Sequence, residues 1–266
     1  MGRPGHRREI SRSLSEDREG GRGSVAGVSS VYGAAMADAY LRGRNLRAAD
    51  VTAWLTAAAP HLPGPAGRIL DLGAGTGRFT AALAQATQAT VIACEPSAAM
   101  RAAFPAGPGL VAGTAENLPF RRASIDAVWA SQMLHHVRDL HAFARDIRHV
   151  LRPGGHLLLR GGYGAPEMLP LHRWFPSASA DFGALLAAVT TRLAALGVSR
   201  TARIEVPQQY AGSAGELVDK VATRSLSNLA TLPDDVFAAG LHALRRDAPG
   251  LSYPLNERLD LVIFTG

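Results

Sequence analysis

The chain has 266 residues, of which 47% are hydrophobic and 19% are charged, an ordinary balance for a globular protein. Its formal net charge of +6 is scattered among acids, and Lys220 is the single lysine of 28 basic residues, so a nucleic-acid partner is disfavoured. One cysteine, Cys94, excludes an internal disulfide and a thiolate metal cluster, and there is no apolar run of about 18 residues, so we expect a cytoplasmic protein without a metal or a membrane partner.

The N-terminal part of the chain changes character twice. The first 24 residues are polar, charged and rich in glycine, and we expect a disordered tail because they hold too little apolar surface to offset the entropy of ordering. Helical patterns follow at about 30–60, and the proline-rich segment 60–67 ends them. One domain is expected to occupy 25–266.

Apolar runs of strand length then alternate with helical patterns, which predicts an α/β fold around a parallel sheet. A cap insertion is expected at about 163–200, where aromatic residues and prolines interrupt the pattern. The predicted strands are 68–72, 90–94, 125–130, 156–160, 203–210 and 258–264. The predicted helices are 78–87, 97–104, 138–150 and 181–196, with a further helical region at 213–247.

The turn after the first strand has the sequence DLGAGTG. In a doubly wound sheet this turn lines the ligand crevice, and Gly73, Gly75 and Gly77 let a ligand approach bare backbone. A dinucleotide fingerprint needs its third glycine at position 78, where this chain has Arg78, so the spacing argues against a bound pyrophosphate. A tight turn without a ligand is the alternative.

A carboxylate, Glu95, ends the second strand in VIACEPSAAM. It can accept hydrogen bonds from both hydroxyls of a ribose, and it would repel a 2′-phosphate. Together with ILDLGAGTGRF, GTAENLPF, SIDAVWASQMLHHV and LRPGGHLLL, this segment makes the sequence resemble the class I S-adenosylmethionine-dependent methyltransferases. The resemblance is to the branch of ubiquinone and menaquinone methyltransferases and bacterial small-molecule methyltransferases, and it covers about residues 30–162.

The resemblance implies a Rossmann-like, doubly wound sheet of seven strands whose last strand is antiparallel, with helical caps at the N-terminus and after the fifth strand. It also implies S-adenosylmethionine as cofactor and S-adenosylhomocysteine as product. The cofactor-binding residues that it implies are Tyr32, Arg42, Asp71, Gly73, Gly75, Gly77, Glu95, Pro96, Met100, Thr114, Ala115, Glu116, Ser131 and Gln132.

Each motif receives a role from the resemblance. Asp71 and the glycine turn would hold the methionine part, Glu95 the ribose, and Met100 would pack on the adenine. The GTAEN turn would contact the adenine edge, and it has Thr114 where family members often carry aspartate. Ser131 and Gln132 would flank the methionine amino group. Tyr32 and Arg42 would approach the methionine carboxylate, although helix packing explains Tyr32 equally well.

The candidate catalytic residues are His135 and His136, which follow the fourth strand. A nucleophile held about 3 Å from the sulfonium methyl needs mainly alignment, and an O–H, N–H or C–H nucleophile also benefits from a base. Histidine has a suitable pKa range for that base, and His136 is the residue expected to supply it. The alternative is that the two histidines only shape the loop.

The acceptor is expected to be a small organic molecule, of the natural-product or quinone-like kind. The residues expected to set its identity lie after the fifth strand: Tyr163, His172, Trp174 and Phe175. Two other functions stay open, a tRNA methyltransferase of the wobble-uridine type and a catalytically silent cofactor-binding protein. Monomer and homodimer are both compatible with the sequence.

Overall fold

A computed structural model describes residues 46–105, 109–165, 170–178 and 182–266. The expected tail 1–24 and two expected cofactor ligands, Tyr32 and Arg42, lie outside the described residues. The strands are β1 (Arg68–Leu72), β2 (Thr90–Cys94), β3 (Leu110–Val111), β4 (Ile125–Ser131), β5 (Leu151–Gly161), β6 (Ser199–Ala211) and β7 (Leu255–Thr265). The α-helices are α1 (Ala48–Ala58), α2 (Arg78–Thr87), α3 (Ala98–Ala102), α4 (Leu140–Val150), α5 (Phe182–Ala194), α6 (Ala214–Ala222), α7 (Ser227–Ala230) and α8 (Asp234–Asp247).

The seven strands form one sheet in the order β3-β2-β1-β4-β5-β7-β6. The strands β1 to β5 pair in parallel, and β7 is antiparallel to both of its neighbours, β5 and β6. The strand order reverses between β1 and β4, which places the ligand crevice beyond the carboxyl ends of these two strands. The predicted Rossmann-like sheet of seven strands with an antiparallel last strand is therefore confirmed.

Side chains of β1 alternate between two apolar layers, because successive residues of a strand point to opposite faces. Ile69 faces one layer, whereas Leu70 and Leu72 face the other. The first layer is completed by buried side chains of α1 and α2, namely Trp54, Phe79 and Leu83. The second is completed by α4 and α5 through Phe143, Ile147, Leu186, Val189 and Leu193. Burying each large apolar side chain contributes about 1.5–3 kcal/mol to the stability of the fold. Because helices cover both faces of the sheet, a ligand can reach it only at the edge where the strands end.

The cap differs from the expected insertion at about 163–200. Leu186, Val189 and Leu193 of α5 follow an i, i+3, i+7 stripe and pack into the sheet core, so this helix belongs to the layer that covers the sheet. The cap is a third apolar cluster built from 170–178 and the segment after β6, including Trp174, Phe175, Leu217, Val221, Leu229 and Leu244. The cap therefore comes from two separate parts of the chain.

Other elements also differ from the sequence prediction. The sequence does not predict β3, which has only two residues. Strand β5 already begins at Leu151, because its pairing with β4 continues across an irregularity between Ile125 and Ala127 that absorbs the Pro-Gly-Gly segment. The helical region 213–247 is three helices. None of the helices in the described ranges is long and apolar enough to cross a membrane.

Candidate active site

The glycine turn after β1 has a backbone that other residues rarely adopt. The φ angles of Gly73, Gly75 and Gly77 are +68°, +58° and +83°, in the left-handed region that favours glycine. The backbone N–H of Gly73 donates to the carbonyl of Cys94 at 2.8 Å, which ties the turn to the end of β2. A Cβ added at Gly73 would lie 3.0 Å from the Cβ of Met133. The turn therefore leaves bare backbone between the carboxyl ends of β1 and β4.

Glu95 follows β2 and is anchored by backbone groups. Its Oε2 accepts from the N–H of Gly75 at 2.9 Å, and its Oε1 accepts from the N–H of Ser97 at 2.8 Å. Burial raises the pKa of the Glu95 carboxyl, and these two N–H donors lower it in part. Each carboxylate oxygen has two lone pairs, so the side chain still has acceptor capacity for the hydroxyls of a ligand.

Asp71 lies behind the turn instead of lining a cavity. Its side chain is buried, and the Thr80 hydroxyl donates to its Oδ2 at 2.6 Å. Burial raises the pKa of Asp71 to about 7; the bond from Thr80 lowers it, and the nearby Glu95 raises it. Two acids, Asp71 and Glu95, thus stand on either side of the glycine turn with weakened acidity.

A cleft, with about 750 Å³ of empty space that includes open solvent, lies in front of the glycine turn. The structure brings most of the predicted site residues into its wall, namely Gly73, Gly75, Glu95, Pro96, Met100, Thr114, Ala115, Glu116, Ser131, Gln132 and His136. Asp71, Gly77 and His135 are not in this wall. Leu72, Met133 and Val137 complete it and were not predicted from the sequence.

The GTAEN turn contributes Thr114, Ala115 and Glu116 to the wall of the cleft. Thr114 and Asn117 form an isolated bridge, with the N–H of Asn117 donating to the carbonyl of Thr114 at 3.2 Å. The Glu116 carboxylate accepts from the N–H of Arg138 at 2.8 Å. This bond joins the turn to the loop after β4, so one Glu116 oxygen already has a structural role.

Ser131 and Gln132, at the end of β4, line both the cleft and a second cavity. Gln132 has a φ of +54°, and its N–H donates to the carbonyl of Arg160 at 2.7 Å. The Ser131 hydroxyl accepts from Nη1 of Arg160 at 3.1 Å. This dipeptide is therefore held by β5 at the boundary between the two cavities.

The second cavity lies between the end of the sheet and the cap and has about 1070 Å³ of empty space, which includes open solvent. Its wall includes Arg78, Arg160, Gln208, Lys220 and Glu257, none of which was predicted from the sequence as a site residue. A signal existed for Arg160, because it ends the predicted strand 156–160 and ligands bind beyond the carboxyl ends of such strands.

Arg160 is the most buried charged residue of the second cavity, with 3% of its surface exposed. Its Nη2 donates to Oε1 of Gln208 at 2.5 Å, and its guanidinium lies 4.4 Å from the ring centroid of Trp54. Gln208 also accepts from Nε1 of Trp54 at 2.9 Å and donates to Glu257. These contacts fix the guanidinium beside Ser131.

The two histidines face different cavities. They end a one-turn 3₁₀ helix, Leu134–His136, and their ring centroids lie 4.0 Å apart. His136 lines the cleft, whereas His135 lines the second cavity and lies 5.3 Å from the ring of Phe182. Trp174 and Phe175 pack in the cap core and are not in the cavity wall. The described residues contain no cluster of three or more His, Cys, Asp or Glu side chains arranged for a metal ion.

This sheet order, with a glycine turn after β1 and an acid after β2, defines the class I methyltransferase fold. Residues 70–159 match the family model described as "Methyltransferase domain". An uncharacterized methyltransferase of Mycobacterium tuberculosis (strain ATCC 25618 / H37Rv) is 41% identical over 123 residues, 45% of this chain and 47% of that protein. A demethylmenaquinone methyltransferase of Corynebacterium kroppenstedtii is 39% identical over 108 residues, 40% of this chain and 47% of that protein. The chain thus spans about half the length of these curated relatives.

A solved structure supports the same assignment of the fold. It is described as a methyltransferase from an antibiotic biosynthesis pathway of Anabaena variabilis, with a TM-score of 0.66 and 24% identity, covering 85% of this chain and 99% of that one. Residues 70–159 therefore form a class I S-adenosylmethionine-dependent methyltransferase domain. S-adenosylmethionine is the cofactor of this class.

Proposed function

We propose that this chain transfers the methyl group of S-adenosylmethionine to a small organic acceptor. The observation that carries the proposal is the pair of adjoining cavities at the switch point of the sheet, which share Ser131 and Gln132. The cleft has the chemistry of a nucleoside and amino-acid site, and the second cavity lies under the cap. A donor and an acceptor bound in these two places would meet at the shared dipeptide.

The residues of the cleft fit S-adenosylmethionine from one end to the other. Pro96, Met100 and the Thr114–Ala115 turn form an apolar seat with a polar edge for adenine. Glu95 would accept from the ribose hydroxyls, and the bare backbone at Gly73 would lie against the methionine part, where a Cβ would fill the space next to Met133. Asp71 would act through the glycine turn behind which it is buried, as a residue that positions the turn.

When bound, S-adenosylmethionine supplies an electrophilic methyl group on a sulfonium centre. What the chain has to contribute is alignment, since a nucleophile held in line with the bond to be broken gains most of the rate by proximity. Ser131 and Gln132 would hold the methyl-bearing end at the boundary of the cavities. His135, which lines the second cavity, would take the proton of an O–H, N–H or C–H nucleophile, in place of the expected His136, which lines the cleft.

The acceptor we propose is a natural-product or quinone-like molecule of a bacterial secondary pathway. Apolar residues of the second cavity support a molecule with a hydrocarbon or aromatic body, and they include Leu46, Leu171, Phe182, Leu226 and Leu259. A fold neighbour described as coming from an antibiotic biosynthesis pathway, which covers 85% of this chain, is in keeping with this acceptor class.

Calorimetric titration with S-adenosylmethionine and S-adenosylhomocysteine tests the proposal first. Saturable binding by the wild type, weakened in Glu95→Ala and retained in the surface control Glu205→Ala, is expected. Transfer from methyl-labelled S-adenosylmethionine to a panel of phenols, quinols and amines then tests the reaction. Binding of NADH in place of S-adenosylmethionine would refute the proposal.

A further inference from the structure

The charged groups of the second cavity are mostly cations. Among the described residues that line it, Arg78, Arg160 and Lys220 are basic and Glu257 is the acid. Arg78 is the first residue of α2, Arg160 lies at the end of β5, and Lys220 is in the last turn of α6. Three elements that are far apart in the sequence thus bring positive charge to one cavity.

Arg160 and Lys220 are each held in a defined position. Arg160 is fixed by Ser131, Gln208 and the face of Trp54, as described above. Nζ of Lys220 donates to the backbone carbonyl of Tyr210 at 2.8 Å and lies 4.0 Å from the centroid of the Tyr210 ring. Because these groups are oriented before a ligand binds, less side-chain entropy is lost on binding.

Burial strengthens the field of one of these cations. Arg160 has 3% of its surface exposed, and Leu46, Leu171, Phe182, Leu226 and Leu259 line the cavity together with uncharged polar side chains. Charges interact more strongly where water is excluded. The acid Glu257 offsets one of the three positive charges and opposes a ligand that carries two negative charges.

We propose that the acceptor carries a carboxylate on an apolar body, with Arg160 and Lys220 as the residues that recognise the carboxylate. The inference rests on the proposed function, because it assigns the second cavity to the acceptor. Apolar walls would hold the body of the molecule, and the cations would fix its acidic end and so orient the nucleophilic atom toward Ser131 and Gln132.

Matched acids and amides test the proposal on the protein loaded with S-adenosylhomocysteine. The probes are 3-phenylpropanoate and octanoate, each compared with its neutral primary amide by calorimetry and ligand-observed NMR. The acids are expected to bind about tenfold more tightly, the effect of one hydrogen bond to a charged group. Equal affinity of acid and amide, including no detectable binding of either at millimolar concentration, would overturn the proposal.

Three variants assign the effect to the cavity. Lys220→Gln is expected to weaken acid binding about tenfold and to leave amide binding unchanged, whereas Glu257→Gln is expected to strengthen acid binding. Arg258→Gln is the matched control. Arg258 follows the cavity residue Glu257 in the chain, but it forms an exposed ion pair with Glu205, so the variant removes one positive charge outside the cavity wall. The same loss in Arg258→Gln and Lys220→Gln would show a general charge effect and refute the site.

Titration with S-adenosylhomocysteine separates this inference from the proposed function. If the protein does not bind S-adenosylhomocysteine, the proposed function fails and the inference fails with it. If S-adenosylhomocysteine binds and the acids show no preference, the inference alone fails. Lys220→Gln is also expected to spare S-adenosylhomocysteine, because Lys220 lines the second cavity and is not in the cleft wall; loss of S-adenosylhomocysteine binding with the acids unaffected would contradict its acceptor role.

Discussion

The Glu95 carboxylate lies 2.9 Å from the backbone nitrogen of Gly75, so the acid after β2 and the glycine turn after β1 form one hydrogen-bonded unit. The second oxygen of Glu95 accepts from Ser97 at the start of α3. The same side chain thus positions the turn and, in the proposed function, the ribose.

Glu95→Gln is expected to weaken S-adenosylmethionine binding about tenfold to a hundredfold. The amide keeps one acceptor oxygen, but its NH₂ group would face an N–H donor of Gly75 or Ser97, and a hydrogen bond to a charged group contributes about 1.5–3 kcal/mol. Calorimetry on the wild type and the variant measures the change. Glu205→Gln is the control, since Glu205 pairs with Arg258 on the surface; equal affinity in all three proteins would contradict the role of Glu95.

Gly77→Ala is expected to destabilise the fold more than Gly154→Ala. Both glycines have positive φ, +83° and +76°, so alanine at either carries a strain of about 1–2 kcal/mol. A Cβ at Gly77 would also lie 2.6 Å from the ring of Phe104, whereas at Gly154 it would meet nothing within 4 Å. We expect an additional cost of about 1–3 kcal/mol at Gly77 from this overlap, measured as the free energy of unfolding in urea.

A double mutant isolates the overlap from the backbone strain. When Phe104 is also replaced by alanine, the additional cost at Gly77 is expected to disappear and the strain to remain. If Gly77→Ala and Gly154→Ala lose the same free energy of unfolding, Phe104 moves aside without cost.

His135→Ala and His136→Ala are expected to have different kinetic effects. His135 faces the proposed acceptor cavity, so its loss should lower kcat about a hundredfold or more, as for a removed general base, and leave S-adenosylmethionine affinity unchanged. His136 lines the cleft, so its loss should mainly weaken S-adenosylmethionine binding. The exposed His149 on α4 provides the control variant. An unchanged kcat in His135→Ala would eliminate the base.

Asp71→Asn is expected to become more stable relative to the wild type as the pH rises. Burial raises the pKa of Asp71 from 3.8 to about 7, so the folded protein keeps a proton that the unfolded chain releases between these values. The wild type therefore loses stability through this window, by up to about 4 kcal/mol at 1.36 kcal/mol per pKa unit, whereas the neutral variant does not.

Urea unfolding at pH 4.5, 6 and 8 without S-adenosylmethionine measures this difference. Asp234→Asn is the matched surface control, because the Asp234 side chain is 95% exposed. A difference between wild type and Asp71→Asn that stays constant from pH 4.5 to 8 would show that Asp71 ionises normally in the folded protein.

Most of the sheet was predictable because its strands are apolar runs that lie buried between two layers of helices. Strand β1 matches the prediction residue for residue, and β4 differs by one residue, Ser131. The strand β3 could not be predicted, since two residues carry no periodicity. The start of β5 depends on a bulge in its pairing with β4, which is a tertiary feature.

The cleft was predictable because each of its motifs is contiguous in the sequence. Several wall residues come from each of three short segments: the glycine turn, the segment 95–100 that begins with Glu95, and the GTAEN turn. The second cavity was not, because Arg160, Gln208 and Glu257 meet only through the pairing of β5, β7 and β6. The position of Asp71 could not be predicted either. The motif identifies the residue, but its side chain lies behind the turn, where it accepts a hydrogen bond from Thr80.

The two cavities have different origins along the chain. Every described residue of the cleft wall lies between Leu72 and Val137, inside the matched domain 70–159. Of the described residues that line the second cavity, only Arg78, Ser131, Gln132 and His135 lie inside that range. Apart from the shared Ser131 and Gln132, substitutions can therefore change the second cavity while the cleft wall stays intact. Likeness to relatives over 70–159 bears on the proposed donor site and much less on the proposed acceptor site. In a chimera that exchanges 160–266 for the same region of a relative, we expect most of the second cavity to come from the relative and the cleft to remain that of this chain.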